Sequence, residues 1–142
     1  MERTRQSVLV VEDDAHFREA LAVLLQINRY DVVEAADGEE ALRLLRSQSG
    51  VGVGLIVLDL RMPRMDGRAF RAEQLGDPTL APIPVVIVCG EGDGVVVAAR
   101  LEPVAYYQKP LSVEDLEDLL ALAARYCGAT LALREQLATP AV

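Results

Sequence analysis

Five short apolar runs, alternating with segments whose apolar residues recur at helical spacing, restrict this chain to a small set of folds. Ser7-Val8-Leu9-Val10-Val11 is rich in β-branched residues and stops at Glu12-Asp13-Asp14, the pattern of a short buried strand. Phe17, Leu21, Leu24 and Leu25 then recur at the spacing of one helix face. Asp31 to Ala35 reads as a second strand. Asp37 caps a helix carrying Ala41, Leu42, Leu44 and Leu45, with Glu40 three residues after the cap. Val53 to Leu58 is the third run and ends at Asp59. A loop with Pro63 and Asp66-Gly67 leads to a helix around Arg68 to Leu75. Pro84 to Val88 is the fourth run, Val95 to Leu101 a weak helical stretch, and Ala105 to Gln108 a short fifth strand. A last helix starts at Ser112 and runs on through Leu116, Leu119, Leu120 and Ala123; Asp115 is shorter than the usual Glu or Gln, so a partial capping box is expected. Parallel strands need crossovers, so this alternation predicts an α/β fold: a five-stranded parallel sheet with helices on both faces.

The length of 142 residues suits one domain, and 51% hydrophobic against 25% charged residues suits a globular core. With 22 acidic and 14 basic residues the net charge is -8. That balance argues against direct nucleic-acid binding, which needs a basic surface to neutralise phosphates. No apolar run approaches the ~20 residues of a membrane-spanning helix, and Met1 to Ser7 does not read as a signal peptide. Cys89 and Cys127 are then expected as free thiols in a reducing cytoplasm.

Ligands of open α/β sheets sit beyond the carboxyl ends of the strands. Glu12 and Asp13 follow the first strand, Asp59 ends the third, Cys89 ends the fourth and Lys109 follows the fifth. Three carboxylates in one crevice repel one another unless a cation sits among them. Mg²⁺ suits a few carboxylates together with waters and a phosphate oxygen, and Lys109 supplies a second positive charge. Together these residues describe a site prepared for a phosphoryl group. Taken singly, each has a plainer reading: an aspartate at a strand end is usually a turn or cap residue, and a lysine is usually solvated.

The segments Val8-Leu9-Val10-Val11-Glu12-Asp13-Asp14, Leu58-Asp59-Leu60-Arg61-Met62-Pro63 with Met65-Asp66-Gly67, and Tyr106 with Lys109-Pro110 resemble the receiver domains of two-component response regulators. The resemblance covers roughly Ser7 to Arg125 and implies a doubly wound, CheY-like (flavodoxin-like) fold. It implies that Asp59 is the phospho-acceptor, and that Glu12, Asp13, Asp59 and the backbone carbonyl of Arg61 bind Mg²⁺, or Mn²⁺ in its place. Lys109 should contact the phosphoryl oxygens, and its bond to Pro110 is often cis in such domains, where the X-Pro preference for trans is weak. The implied partners are a histidine kinase or phosphotransfer protein and a downstream protein. The implied signalling surface is formed by helix four, strand five and helix five, with Cys89 at the switch position and Tyr106 as the aromatic switch.

Cys89 stands where the family has Ser or Thr. A thiol is a weak donor, so phosphorylation is expected to persist with weaker coupling to Tyr106; the plainer reading is a small buried hydrophobe. Gly90, Gly92 and Gly94 predict a short or mobile fourth helix, and Gly90 is expected to leave the phosphoryl pocket open. Arg61 and Glu91 either pair across the entrance or are solvated, and His16 lies near that entrance or on a helix surface. Residues 1–127 are expected to form the receiver. Residues 128–142 are expected to be an extension without an output domain, helical and suited to a homodimer, or frayed. Two other functions remain open: a phosphorylation-independent interaction module, and a phosphatase with an aspartyl-phosphate intermediate. The phosphatase would need a carboxylate where Arg61 stands, so the chain is expected to be a phospho-acceptor, limited to self-phosphorylation from small phosphodonors and self-dephosphorylation, and not an enzyme.

Overall fold

The computed structural model describes residues 6–47, 52–90 and 95–128. The elements alternate as expected: β1 (Ser7–Val11), α1 (Ala15–Ile27), β2 (Val32–Ala35), α2 (Gly38–Leu45), β3 (Val53–Asp59), α3 (Gly67–Leu75), β4 (Val85–Cys89), α4 (Val95–Arg100), β5 (Ala105–Gln108) and α5 (Val113–Cys127). All strands are parallel in the order β2-β1-β3-β4-β5. β1, β3 and β4 are buried along their whole length, which is why they read as continuous apolar runs without alternation.

Residues of alternating parity feed two cores, one on each face of the sheet. Leu9, Val11, Ile56, Leu58, Ile87 and Cys89 pack with Ala41, Leu42 and Leu45 of α2, Phe70 of α3 and Ala98 of α4. Val8, Val10, Leu55, Val57, Val86 and Val88 pack with Leu21 and Leu25 of α1 and Leu119, Ala123 and Cys127 of α5. No described helix is long and apolar enough to cross a membrane.

Local chemistry sets the helix starts. Asp14, Asp37, Asp66 and Ser112 each accept a backbone N–H of the first turn. The capping box of α5 is complete rather than partial: Ser112 Oγ accepts Asp115 N–H at 3.0 Å, and Asp115 Oδ2 accepts Ser112 N–H at 3.0 Å. The shorter acid reaches because both partners lie in one turn. Glu40 instead reaches past the Asp37 cap to the Ala36 N–H at 2.7 Å. α4 is short, with six residues, as the glycines before it predict; Glu91, Gly92 and Gly94 lie outside the described residues. So does the expected extension beyond Gly128.

Candidate functional site

β1 and β3 are neighbours, with Val11 beside Leu58. One residue further on, Glu12 and Asp59 therefore leave the sheet side by side, at the point where the strand order reverses. Carboxylate oxygens of Glu12, Asp13 and Asp59 all lie within 4.8 Å of one another. Glu12 and Asp59 are buried, at 2% and 5% exposure, while Asp13 faces solvent. β5 delivers Lys109 to the same crevice. Its N–H donates to the Cys89 carbonyl at 2.8 Å, and its ammonium lies 2.7 Å from Glu12 Oε1 and 3.8 Å from Asp59 Oδ1. The Lys109-Pro110 bond is cis.

The electrostatics follow from this crowding. Burial, then repulsion from Glu12 and a hydrogen bond shared with it, push the Asp59 carboxyl up to about 7, against the opposing pull of Lys109 and the Arg61 N–H. Partial burial disfavours the Lys109 ammonium, but its bond to Glu12 and the charge of Asp59 hold its pKa above the ordinary lysine value. A carboxylate cluster with one buried acid raised so far is under-neutralised. Its all-oxygen donor set, open to solvent at Asp13, fits a small hard dication.

Residues within the motif segments, and Arg18 and Arg64 outside them, hold the crevice in place. Asp14 N–H donates to Glu12 Oε2 at 3.1 Å, and Arg18 Nη1 donates to the Glu12 carbonyl at 2.8 Å while its Nε pairs with Glu34 at 3.1 Å. The loop after Asp59 folds back on itself. Gly67 N–H donates to the Leu60 carbonyl at 2.9 Å, and a Cβ at Gly67 would run into the Asp59 carbonyl oxygen and the Leu60 Cα. Further along, Arg64 takes a left-handed backbone (φ 64) and donates Nε to Asp37 Oδ2 at 2.6 Å. Burial alone would raise the Asp37 carboxyl, but the Glu40 N–H and the Arg64 guanidinium hold it below the usual range. The Arg18 and Arg64 contacts span 16 and 27 residues of chain, and no local sequence signal announces them.

The remaining predicted site residues divide. Cys89 is fully buried, and Tyr106 is half-buried against the same core. Ile87 pairs with Tyr106 across the sheet, so Cys89, two residues on, shares that face one step along. Arg61 is exposed; Glu91, its suggested partner, lies outside the described residues. His16 sits on the exposed first turn of α1, where its N–H donates to Asp14. A Cβ at Gly90 would meet no atom of the described residues within 4 Å.

A family model described as the response regulator receiver domain matches residues 8–121. The transcriptional regulatory protein PdtaR of Mycobacterium tuberculosis is 35% identical over 133 residues, 93% of this chain and 63% of that protein. The positive alginate biosynthesis regulatory protein of Pseudomonas aeruginosa is 38% identical over 123 residues, 84% of this chain and 47% of its own length. The chain thus spans about half to two-thirds of these curated relatives. Among solved structures, a response regulator receiver protein from Pseudomonas putida superposes with a TM-score of 0.76 at 30% identity, covering 85% of this chain and 99% of that one. The Mn(2+)-bound form of the response regulator Rcp1 gives 0.70 at 25% identity, covering 88% and 96%.

Proposed function

This chain belongs to the response regulator receiver family, and from that premise we propose that Asp59 accepts a phosphoryl group in a Mg²⁺-dependent reaction. The observation that carries this reading is the convergence of Glu12, Asp13 and Asp59 within 4.8 Å, with Lys109 at their edge. A cation held by those carboxylates and the Arg61 carbonyl would offset the repulsion between Asp59 and the incoming phosphoryl oxygens. Mn²⁺, which Rcp1 binds in its solved form, has the same oxygen preference.

The chain's own residues do the rest. An ionised Asp59 oxygen attacks phosphorus in line, and the P–N bond of a phosphohistidine donor or the P–O bond of acetyl phosphate breaks as the donor leaves with the bonding pair. Lys109, released from Glu12, contacts one phosphoryl oxygen. Receivers are signalling phospho-acceptors whose partners are histidine kinases and downstream targets; which of these serve this chain follows from exposed surfaces that no motif labels. The receiver unit is read as ending with α5 at Cys127, and its output surface as the face of α4, β5 and α5. On that face Tyr106 turns behind the pocket, with Cys89 as a weak-donor replacement for the usual hydroxyl.

The test is intact-protein mass spectrometry after incubation with Mg²⁺ and acetyl phosphate, beside an Asp59→Asn control. A gain of one phosphoryl group, absent from the control, is expected. No gain under conditions where a known receiver reacts would favour the second reading, a phosphorylation-independent interaction module, for which the Cys89 substitution is the specific observation.

A further inference from the structure

Lys109 is the only lysine in the chain, and three groups confine its ammonium. Two are the carboxylates of Glu12 and Asp59, 2.7 and 3.8 Å from Nζ. The third is the ring of Phe17 on the first turn of α1, with Nζ 4.4 Å from the ring centroid. We propose that Phe17 is a positioning residue for Lys109: its ring face holds the ammonium at the mouth of the carboxylate crevice, where a phosphoryl oxygen arrives. The catalytic consequence rests on the phospho-acceptor reading; the contact itself does not.

The physical case begins with charge. A lysine stem is flexible and carries substantial rotamer entropy, so a site that needs its ammonium at one place must hold it there. A further carboxylate would do so, but it would also repel an incoming phosphoryl group and raise Asp59 still more. An aromatic face attracts a cation through its quadrupole without adding net charge. The distance found here is inside the ~6 Å range over which that attraction counts. The backbone that carries the ring is anchored, because Phe17 N–H donates to the Asp14 cap at 3.2 Å.

Phe17 packs against the core between α1 and α5 only at its edge, as Leu24 does, which leaves part of its ring for Lys109. Its spacing places it on the core face of α1, yet it is only half-buried, whereas Leu21 and Leu25 on that face are at 4% and 0% exposure. Beside it lies an apolar groove of about 510 Å³ lined by Ala20, Leu24, Pro110, Leu111 and Leu116, in which Lys109 is the one charged side chain among the lining residues. Phe17 and Lys109 both line that groove. Low-polarity surroundings strengthen the ring's hold on an ammonium.

A single lysine makes the contact directly readable. Protein labelled with ¹³C,¹⁵N-lysine gives one ε-methylene signal. In the wild type that signal is expected upfield of free lysine through the ring current, to return to the free position in Phe17→Leu and to stay shifted in Phe17→Tyr. In phosphorylation by acetyl phosphate with Mg²⁺, the apparent KM of Phe17→Leu is expected to rise roughly three- to tenfold, with Phe17→Tyr within about twofold of wild type. Pentafluorophenylalanine at position 17 keeps the ring but reverses its electrostatic face, so it should raise KM as Leu does, and it serves if Phe17→Leu folds poorly. An unshifted methylene in the wild type, or equal impairment by Leu and Tyr, would overturn the inference. A wild type that shows the shifted methylene but takes up no phosphoryl group would sink the phospho-acceptor reading and the proposed role in it, while the ring contact would stand.

Discussion

At Asp59, the proposed phospho-acceptor, burial beside Glu12 also weighs on the fold. Burial and Glu12 raise its carboxyl to about 7, whereas an aspartate in the unfolded chain titrates near 4. The folded state therefore holds the proton more tightly than the unfolded chain. This contribution to stability is full below about pH 4 and is lost as the pH rises from about 4 to about 7. In metal-free buffer Asp59→Asn is expected to be more stable than wild type at pH 8, by on the order of 2–4 kcal/mol in urea unfolding, with the gap closing towards pH 5. Addition of Mg²⁺ should stabilise the wild type well above the variant, because a ligand stabilises the state that binds it. Cys89 tests the switch at the same scale. Cys89→Thr buries a hydroxyl in an apolar layer and is expected to cost about 1 kcal/mol in the unphosphorylated state. It should also enlarge the phosphorylation-induced shift of the Tyr106 ring signals; an unchanged response would remove Cys89 from the account of coupling.

Among the elements, α3 and the segment after α4 are joined by a buried arginine. Arg71, 6% exposed, donates Nε to the Leu101 carbonyl at 2.9 Å, Nη2 to the Glu102 carbonyl at 3.1 Å and Nη1 to Gln74 Oε1 at 2.7 Å. Gln74, fully buried, passes the network to the Leu80 and Ile83 carbonyls. Burial lowers the Arg71 pKa from its ordinary value, with Glu102 opposing. The clamp satisfies carbonyls at the end of the short α4, where Glu102 takes a left-handed backbone (φ 53). Arg71→Met removes three donors and leaves those carbonyls without them, so a loss of about 2–4 kcal/mol is expected. Hydrogen exchange should accelerate at Leu101, Glu102 and Val104 more than along β1 or β3. Uniform acceleration would mean that the clamp merely adds to global stability.

For the molecule as a whole, the sheet divides the interior into two cores, and the two cysteines report on them separately. Cys89 belongs to the layer under α2, α3 and α4, and Cys127 to the layer under α1 and α5. On opposite faces of the sheet they cannot approach to disulfide distance, and neither forms a disulfide. Burial pushes the Cys127 thiol up to about 11, and its Sγ lies 3.5 Å from the Ser7 carbonyl. A thiol reagent such as dithionitrobenzoate is therefore expected to react with neither cysteine in the folded protein at neutral pH. Both should become reactive together when urea unfolds the chain. Early reaction of Cys89 alone would show that the α4 side opens independently of the α1–α5 side.

The elements and the site residues at the strand ends were legible because they depend on local chemistry. β-branched runs mark Ser7–Val11 and Val53–Asp59, Asp37 and Ser112 announce their helices, and Glu12, Asp13, Asp59 and Lys109 stand just where such runs stop. The expected bounds differ from the observed ones by one residue at the starts Asp31, Pro84 and Arg68 and at the ends Val88 and Leu101, where pairing or helix bonding begins or stops, and Asp115 reaches further than its length suggests. What the string of residues does not contain is the set of contacts that arise once crossovers bring distant segments together. The ammonium of Lys109 reaches Glu12 across 97 residues, Arg71 reaches Glu102 across 31, and Arg64 reaches Asp37 across 27. Parallel strands take their order and register from the packing of whole layers rather than from a tight turn. Hence the sequence alone names the ionisable groups of the crevice, while the raised carboxyl of Asp59 and the ring under Lys109 exist only in the folded arrangement.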